Sequence, residues 1–290
     1  MKRIYLILLF MLTHNIFSQE KVVIRYDNGN IKYEGFVVNN TFDSIYKEYY
    51  PNGVLKSEGF YKNCDYKTNH KIFVYASCGV ENKIDSISKG KMNGQWKTYY
   101  DNGKIESVEN YYCGIKQGNF YYYSNDGKIL DFDFYDGNRK IISQSYNENQ
   151  TLSEIEYFDQ KWLKNKKYEI TRTIEFYENG NYKSETLVEE KVDGFEHESY
   201  KEYYSNGFLK TENVLIDGDK HGICYEYYEN GNVKNVGFFE YDKPVFVQLI
   251  YNEDGTPNKL ERWKKGKLIS TENNFDPKKS FKYQVKKYKE

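Results

Sequence analysis

Side chains that could perform acid–base or metal chemistry are scattered through this sequence of 290 residues. Three histidines follow the N-terminal segment, and none has a Cys or carboxylate at the spacing of a metal site or catalytic pair: His70, His197 and His221. The motifs G-x-S-x-G and H-E-x-x-H and the phosphate-binding P-loop do not occur. We therefore predict structural roles for the histidines, no enzyme activity and no cofactor.

Carboxylates are abundant, and two of them suffice for the hydrolysis of a glycoside. Many of them recur at one repeated position, five residues after a glycine: Glu34, Glu58, Glu185 and Glu212. Lysines recur three residues after such glycines: Lys32, Lys56, Lys183, Lys210 and Lys234. A catalytic pair is needed only once, so this repetition favours solvated ladders on a sheet surface. A hydrolase within the irregular segment 63–88 stays open as an alternative.

Four cysteines are the remaining reactive groups. Cys64 and Cys78 enclose a short segment, and we predict a disulfide between them. Cys113 and Cys224 lie far apart, and in a repeat array whose units touch only their neighbours they should not pair. No Cys spacing is typical of zinc.

The densest aromatic run is Phe120-Tyr121-Tyr122-Tyr123. Consecutive side chains of a strand point to opposite faces, so part of this run must be exposed. We expect most tyrosines to hold successive strands together, although stacked tyrosines can also bind sugar rings or a partner chain. Residues 120–123 are therefore the first predicted binding surface.

An internal repeat of about 24 residues organises these side chains. Eight times the chain passes through an aromatic residue (Ser124 once, and Tyr251 counted across Asn252), one spacer, Asn or Asp, and Gly, and four Gly-to-Gly steps are 24 residues long. The glycines are Gly29, Gly53, Gly103, Gly127, Gly180, Gly207, Gly231 and Gly255. Two longer gaps each predict a degenerate unit, divided at Gly79 and at Asn149-Gln150.

Each repeated glycine predicts a tight turn between antiparallel strands, because Asn-Gly and Asp-Gly adopt positive φ at low cost. A primed two-residue turn and a type I turn with a G1 bulge both fit. The apolar residue two places after each glycine should face the aromatic residue three places before it. A second glycine series, nine residues upstream, predicts the other turn of each unit: Gly94, Gly118 and Gly222.

Composition agrees with an all-β fold. The chain has 32 Tyr, 18% aromatic residues and only 4 Pro, which excludes a disordered chain and favours strands. We predict an elongated antiparallel meander of tandem β-hairpins, in which neighbouring units stack because none can bury its apolar face alone. The 42 basic and 43 acidic residues leave no basic field that would attract nucleic acid.

The segment 91–105, KMNGQWKTYYDNGKI, resembles the MORN repeat in its bacterial variant form. The segment 222–234 and the units at Gly53 and Gly207 resemble it too, so that the resemblance covers most of the chain. It implies a repeat protein without catalytic residues. Proteins of this kind are often labelled as the antitoxin partner of a bacterial toxin–antitoxin pair, and eukaryotic MORN proteins are linked to membrane attachment and scaffolding.

Residues 1–19 have the pattern of a secretory signal peptide, with Lys2 and Arg3 before the apolar run Ile4–Leu12 and the small residue Ser18 beyond it. The run is too short to span a bilayer, which takes about 20 residues. The alternative is a buried N-terminal strand. An export signal departs from a typical antitoxin, which works in the cytoplasm.

The predicted organisation is a signal peptide at 1–19, a repeat array at 20–270 interrupted at 63–88, and a Lys-rich cap or tail at 271–290. We predict an exported, non-enzymatic protein-binding or scaffolding module in the envelope or outside the cell, with an immunity-like role as one form. Its protein partner is unidentified. A carbohydrate-binding protein that uses exposed tyrosines is the alternative, and the tail's lysines allow only a salt-sensitive attraction to membranes.

Overall fold

A computed structural model describes residues 19–38, 41–64, 88–163, 166–189, 194–273 and 275–277. The chain divides into two compact units, Met1–Ile115 and Lys116–Glu290. Except for Gln19, the predicted signal peptide lies outside the described residues. The same is true of most of the interrupting segment, with His70, Cys78 and Gly79, and of the tail beyond residue 277.

The first unit is an antiparallel sheet in which strands pair in chain order, except that β4 pairs directly with β6. Its strands are β1 (Glu20–Arg25), β2 (Ile31–Val38), β3 (Thr41–Tyr49), β4 (Leu55–Lys62), β5 (Ser88–Lys89), β6 (Lys91–Tyr99) and β7 (Ile105–Tyr112). The two-residue β5 lies parallel to the start of β3. The strand β8 (Ile115–Lys116) lies where the two units meet in sequence.

The second unit continues the same antiparallel pattern. Its strands are β9 (Gly118–Tyr123), β10 (Ile129–Asp136), β11 (Arg139–Tyr146), β12 (Leu152–Leu163), β13 (Lys166–Phe176), β14 (Tyr182–Glu189), β15 (His197–Tyr203), β16 (Leu209–Ile216), β17 (Asp219–Lys220), β18 (Gly222–Tyr227), β19 (Val233–Glu240), β20 (Lys243–Tyr251), β21 (Pro257–Lys264) and β22 (Lys267–Asn273). The predicted all-β fold of tandem hairpins is confirmed.

The repeated tight turn is a type I turn followed by a G1 bulge. At Gly53 the glycine N–H donates to the Tyr50 carbonyl at 2.9 Å, and the Tyr50 N–H donates to the Val54 carbonyl at 2.8 Å. All eight repeated glycines have positive φ, between 84° and 92°. The Gln150 N–H likewise donates to the Asn147 carbonyl, and Gln150 has a positive φ of 66°, so the degenerate repeat near residue 150 has the same turn. The last turn starts at Asn252, because Gly255 bonds to its carbonyl.

The cross-strand partner of each apolar residue lies four places before the glycine, so the predicted three places were wrong. Leu55 faces Tyr49 and Ile105 faces Tyr99. The residue three places before, such as Tyr50, is the first residue of the turn, and its N–H already bonds across the bulge. The ladder therefore begins one residue earlier.

The second turn of the repeat also differs from the prediction in the five places where the structure describes it as a two-residue hairpin turn. It is a two-residue turn with positive φ at both central residues, as the primed type I′ hairpin requires. These residues are Cys113-Gly114, Gly137-Asn138, Asp217-Gly218, Tyr241-Asp242 and Lys265-Gly266. Gly94 also has a positive φ (75°), but it lies within β6, and Gly118 and Gly222 are the first residues of β9 and β18.

The aromatic residue of the repeated tetrapeptide bonds each repeat to the next one. The Tyr50 hydroxyl donates to the Tyr99 carbonyl at 2.9 Å, and the Asn52 amide donates to the Asp101 carbonyl at 3.3 Å. The same tyrosine bond recurs in four more places: Tyr26 to Tyr49, Tyr177 to Tyr203, Tyr204 to Tyr227, and Tyr228 to Tyr251. The repeat therefore encodes both a turn and the bond that stacks it on the next turn.

Each unit has its own core cluster. The first is largely aromatic: Tyr33, Val37, Phe42, Tyr46, Tyr61 and Trp96. Gly59 leaves room for Trp96, since a Cβ on Gly59 would lie 2.2 Å from the indole ring. The second is aliphatic apart from one ring: Val236, Val247, Leu249, Leu260 and Phe275.

Phe275 brings part of the predicted tail onto the second core. Its ring packs against Tyr251 with centroids 5.9 Å apart. The array also extends past the predicted boundary at 270, since β22 ends at Asn273. The tail lysines lie outside the described residues.

Candidate functional site

In each compact unit, aromatic side chains four places before the glycine of the tight turn (or before Gln150) form what we call the aromatic column; in the first repeat Arg25 takes this position. In the first unit it consists of Tyr49 and Tyr99. In the second it consists of Tyr123, Tyr146, Phe176, Tyr203, Tyr227 and Tyr251. All of these side chains are half-buried. They are the residues that face the apolar position across each hairpin, so the hairpin geometry alone sets their spacing.

A row of charged side chains, the charged row, accompanies the column on the same sheet face. In the first unit Glu34, Lys47, Glu58 and Lys97 face one another across four strands. Lys47 and Glu58 form an ion pair at 3.5 Å. In the second unit the same row holds Glu185, Lys201 and Glu212 on adjacent strands, with Lys201 and Glu212 3.6 Å apart.

The column and the row are bonded to each other in the first unit. The Tyr49 hydroxyl donates to Glu34 at 2.9 Å, and the Tyr99 hydroxyl donates to Glu58 at 2.7 Å. Burial, together with these carboxylates, raises the pKa of Tyr49 and of Tyr99 to about 12. The bond from Tyr49 and the neighbouring Lys21 lower the pKa of Glu34. Both tyrosines are therefore neutral donors at physiological pH.

In the second unit the row changes from charged to apolar toward the C-terminal strands. Glu212 faces Tyr225 on β18, which faces Val236, then Leu249 and Leu260. Tyr225 and Tyr227 stack with centroids 6.1 Å apart. Burial is the main cause that raises the pKa of Tyr203 and Tyr227. Val236, Leu249 and Leu260 belong to the second core cluster, so the row passes from the surface into the core. Its half-exposed part combines the charges of Glu185, Lys201 and Glu212 with the rings of Tyr203 and Tyr227.

The lysines of the predicted ladder contact the turns on the side opposite to the aromatic column. Lys56 lies 5.9 Å from the ring centre of Tyr50 and forms an ion pair with Glu48 at 3.0 Å. The same contact of lysine with a turn tyrosine recurs at Lys32, Lys210 and Lys234. These lysines stabilise turns, and such half-exposed contacts contribute about 0.5–1 kcal/mol each.

The structure divides the predicted surface at residues 120–123. Phe120 is fully buried, and its ring packs 4.8 Å from that of Tyr135, so its assignment to an accessible surface was wrong. The reason is alternation, which directs Phe120 into the second unit's interior. Tyr121, Tyr122 and Tyr123 are half-buried, and Tyr123 belongs to the aromatic column. Binding by these three stays a prediction.

The predicted Cys64–Cys78 bridge is also wrong, because Cys64 is bonded to Cys113 with their Cα atoms 5.9 Å apart. Lys62 at the end of β4 faces Lys91 at the start of β6, so β4 and β6 are neighbours despite the interruption. The turn that contains Cys113 is held on β6 by a bond from its N–H to Asn93. Cys224 is a buried free thiol.

Other kinds of site find no support among the described residues. No group of three or more His, Cys, Asp or Glu side chains there could hold a metal ion. No helix in the same part of the chain has the length and apolar character to cross a bilayer. His197 lies on β15, and His221 precedes β18 with its ring 5.1 Å from that of Tyr241.

The aromatic column is the feature that sequence reasoning missed. The signal was present, because the repeats at Gly53 and Gly103 carry two consecutive tyrosines before the spacer. The predicted cross-strand partner is the second tyrosine. In the structure the second tyrosine starts the turn and bonds to the next repeat, and the first tyrosine faces the neighbouring strand.

Three segments of the chain match the sequence model of the MORN repeat variant: residues 42–63, 92–111 and 220–241. Each contains one tight turn with its two flanking strands, around Gly53, Gly103 and Gly231. The comparison with curated proteins found no match. MORN repeats generally mediate binding to proteins or membranes and are generally non-catalytic.

Proposed function

We propose that this chain is an exported, non-enzymatic repeat protein that binds another protein along the aromatic column and the charged row. The observation that carries the proposal is the bonding of Tyr49 to Glu34 and of Tyr99 to Glu58. These bonds fix aromatic rings beside charges, which gives a rigid surface with few rotamers to order on binding. Tyrosine is enriched at protein interfaces for this reason.

The partner's surface should be complementary to the row. Lysine and glutamate alternate along it, so a partner needs charges of both signs at the spacing of neighbouring strands, about 4.8 Å. Such a pattern gives register and specificity more than affinity. In the second unit, the rings of Tyr203 and Tyr227 supply the apolar contact area beside Lys201 and Glu212.

Substitution of the column tests this function. We expect Tyr203→Ala and Tyr227→Ala to abolish co-purification of a stoichiometric protein partner from the cells that produce the chain. The matched control is Tyr241→Ala, since Tyr241 is 49% exposed at a turn outside the column. Thermal unfolding of each variant checks that the sheet is intact. A partner that is retained by both column variants would contradict the proposal.

Export is part of the proposal. The Cys64–Cys113 bridge supports it, because disulfides persist in oxidising compartments and are rare in the cytosol. N-terminal sequencing of the mature protein should find a start near residue 20. A chain that retains Met1 in the cytoplasmic fraction would refute this part alone.

An immunity-like role is the form of protein binding that the antitoxin resemblance implies for an exported chain. The chain would then bind a toxin outside the cytoplasm. This role requires a toxin-like gene beside the gene of this protein, and the lack of one would count against that form.

Carbohydrate binding by the tyrosines is the alternative. A glycan array with Tyr121→Ala and Tyr123→Ala variants tests it, and an array without signal would end it.

A further inference from the structure

Four polar side chains, which we call the polar grid, lie on one face of the second unit: Thr211, Asn213, Glu226 and Asn235. Strand pairing places Thr211 of β16 directly opposite Glu226 of β18, and Glu226 directly opposite Asn235 of β19. Asn213 follows Thr211 by two residues on β16, so both side chains point to the same face. Directly paired residues have Cβ atoms about 4.5–5.5 Å apart, so a group bound to Glu226 lies between Thr211 and Asn235.

Three oxygen atoms of the polar grid are buried without a hydrogen-bond partner among the described residues: Thr211 Oγ1, Asn213 Oδ1 and Asn235 Oδ1. The side chain of Asn213 is among the most buried polar groups described, with only 6% of the residue exposed. Native structures rarely leave buried polar atoms unpaired, because each has lost its bonds to water. All three atoms can accept hydrogen bonds, as can the carboxylate of Glu226. The polar grid therefore suits a ligand that donates hydrogen bonds.

The other repeats indicate which donor suits this carboxylate. Their glutamate five places before the turn glycine pairs with the lysine three places after it: Glu48 with Lys56 at 3.0 Å, Glu175 with Lys183 at 3.1 Å, and Glu202 with Lys210 at 2.7 Å. Glu226 has the same position before Gly231, but it forms no ion pair with Lys234 or with any other described residue. The Lys234 Nζ instead lies 6.0 Å from the ring centre of Tyr228.

We propose that the polar grid binds a primary alkylammonium group, which a lysine side chain or a polyamine carries. This group brings one positive charge to Glu226 and three N–H donors to the carboxylate and the unpaired oxygens that flank it. Alternation along β18 puts Glu226 on the face opposite to Tyr225 and Tyr227. The site is therefore independent of the proposed protein-binding surface and stands or fails separately from it.

A chemical series separates hydrogen bonding from charge. Binding to the purified full-length protein is measured by saturation-transfer NMR titration with Nα-acetyl-lysine methylamide and with its Nε-trimethyl derivative, which keeps the charge but has no N–H donor at Nε. We expect the first compound to bind about three- to tenfold more tightly. Equal affinities, or no saturable binding of the first compound, would overturn the proposal. Its displacement by an equal concentration of Ca²⁺ would also overturn the proposal and would indicate a metal site.

Putrescine distinguishes the two sources of the group. Tighter binding of putrescine than of the lysine derivative at physiological ionic strength supports a free polyamine as the ligand. The reverse order supports a lysine side chain.

Matched variants assign the acceptors. Glu226→Gln and Thr211→Val should each weaken the lysine derivative about three- to tenfold. Thr211→Val should do so without lowering the free energy of unfolding, because it removes a buried hydroxyl that has no partner among the described residues. Glu175→Gln is the control, because Glu175 has the same repeat position but pairs with Lys183. Unchanged affinity in Glu226→Gln would contradict the assignment.

Lys234→Gln tests the competing account, in which the lysine of the same hairpin turns onto Glu226 as in the other repeats. The proposal predicts that this variant keeps the affinity of the native chain. A rise of more than about threefold would show that Lys234 occupies the carboxylate, and it would overturn the proposal.

Discussion

The Tyr50 hydroxyl donates a hydrogen bond to the carbonyl oxygen of Tyr99, 2.9 Å away and 49 residues later in the chain. Every other bond of this kind spans 23 or 26 residues. The turn at Gly53 thus stacks on the turn at Gly103 as if the interrupting segment were absent. The register of the array is kept across the interruption by pairing of β4 with β6.

Loss of this bond should weaken the fold measurably. We expect Tyr50→Phe to lower the free energy of unfolding by about 1 kcal/mol, the usual net contribution of one hydrogen bond. Urea unfolding followed by circular dichroism measures it. Tyr112→Phe is the control, because Tyr112 is 59% exposed. Equal stability of the two variants would show that the bond does not hold neighbouring repeats together.

The contact of Gly59 with Trp96 should appear as an energetic coupling. Gly59→Ala places a methyl group 2.2 Å from the indole ring, and overpacking of this kind costs about 1–3 kcal/mol. Trp96→Leu removes the ring. The destabilisation of the double variant should therefore be smaller than the sum of the two single destabilisations by about 1 kcal/mol or more.

The control for this coupling is Gly29→Ala. A Cβ on Gly29 meets nothing within 4 Å, and its cost comes only from the positive φ of 87°. It should therefore be additive with Trp96→Leu in urea unfolding. Additivity in the Gly59 pair as well would mean that the indole ring does not lie over Gly59.

Local chemistry explains which features could be predicted from the sequence. Asn-Gly requires only its own backbone, so the turn at Gly53 and the antiparallel hairpins around it could be anticipated. The partner of Leu55 depended on the bulge, which moves the ladder by one residue to Tyr49. The partner of Cys64 depended on β4 and β6 being neighbours, which no local pattern encodes.

The disulfide gives a prediction that separates the two pairings. Cys64→Ser and Cys113→Ser should each lower stability by about 2–4 kcal/mol, because the bridge constrains a long loop in the unfolded chain. Two variants serve as matched controls. Cys78→Ser should leave the free energy of unfolding nearly unchanged, and Cys224→Ser should change it only through core packing. Urea unfolding measures stability, and thiol titration counts the free thiols. Destabilisation by Cys78→Ser equal to that by Cys64→Ser would restore the short bridge.

Stability should depend on pH through Tyr49. Its folded pKa of about 12 lies above the ordinary 10.0, so its contribution is complete below pH 10 and is lost as pH rises toward 12. Glu34, its partner, has a lowered pKa, so its contribution is present above pH 4.5 and is lost as pH falls below that value. The stability difference between the native chain and Tyr49→Phe should therefore be largest near neutral pH.

Urea unfolding at pH 4, 7 and 10.5 measures that difference, and Tyr112→Phe again serves as the control. A difference that is constant across this range would show that the hydroxyl of Tyr49 does not interact with the carboxylate of Glu34.

The most direct test of protein binding by the aromatic column is photo-cross-linking in the cells that produce the protein. A benzophenone amino acid replaces Tyr203 or Tyr227 in the column, or Tyr241 at a turn outside it. The proposed function predicts one dominant cross-linked protein, the same at both column positions and absent at Tyr241. No cross-linked protein at either column position, or the same products at all three, would contradict it.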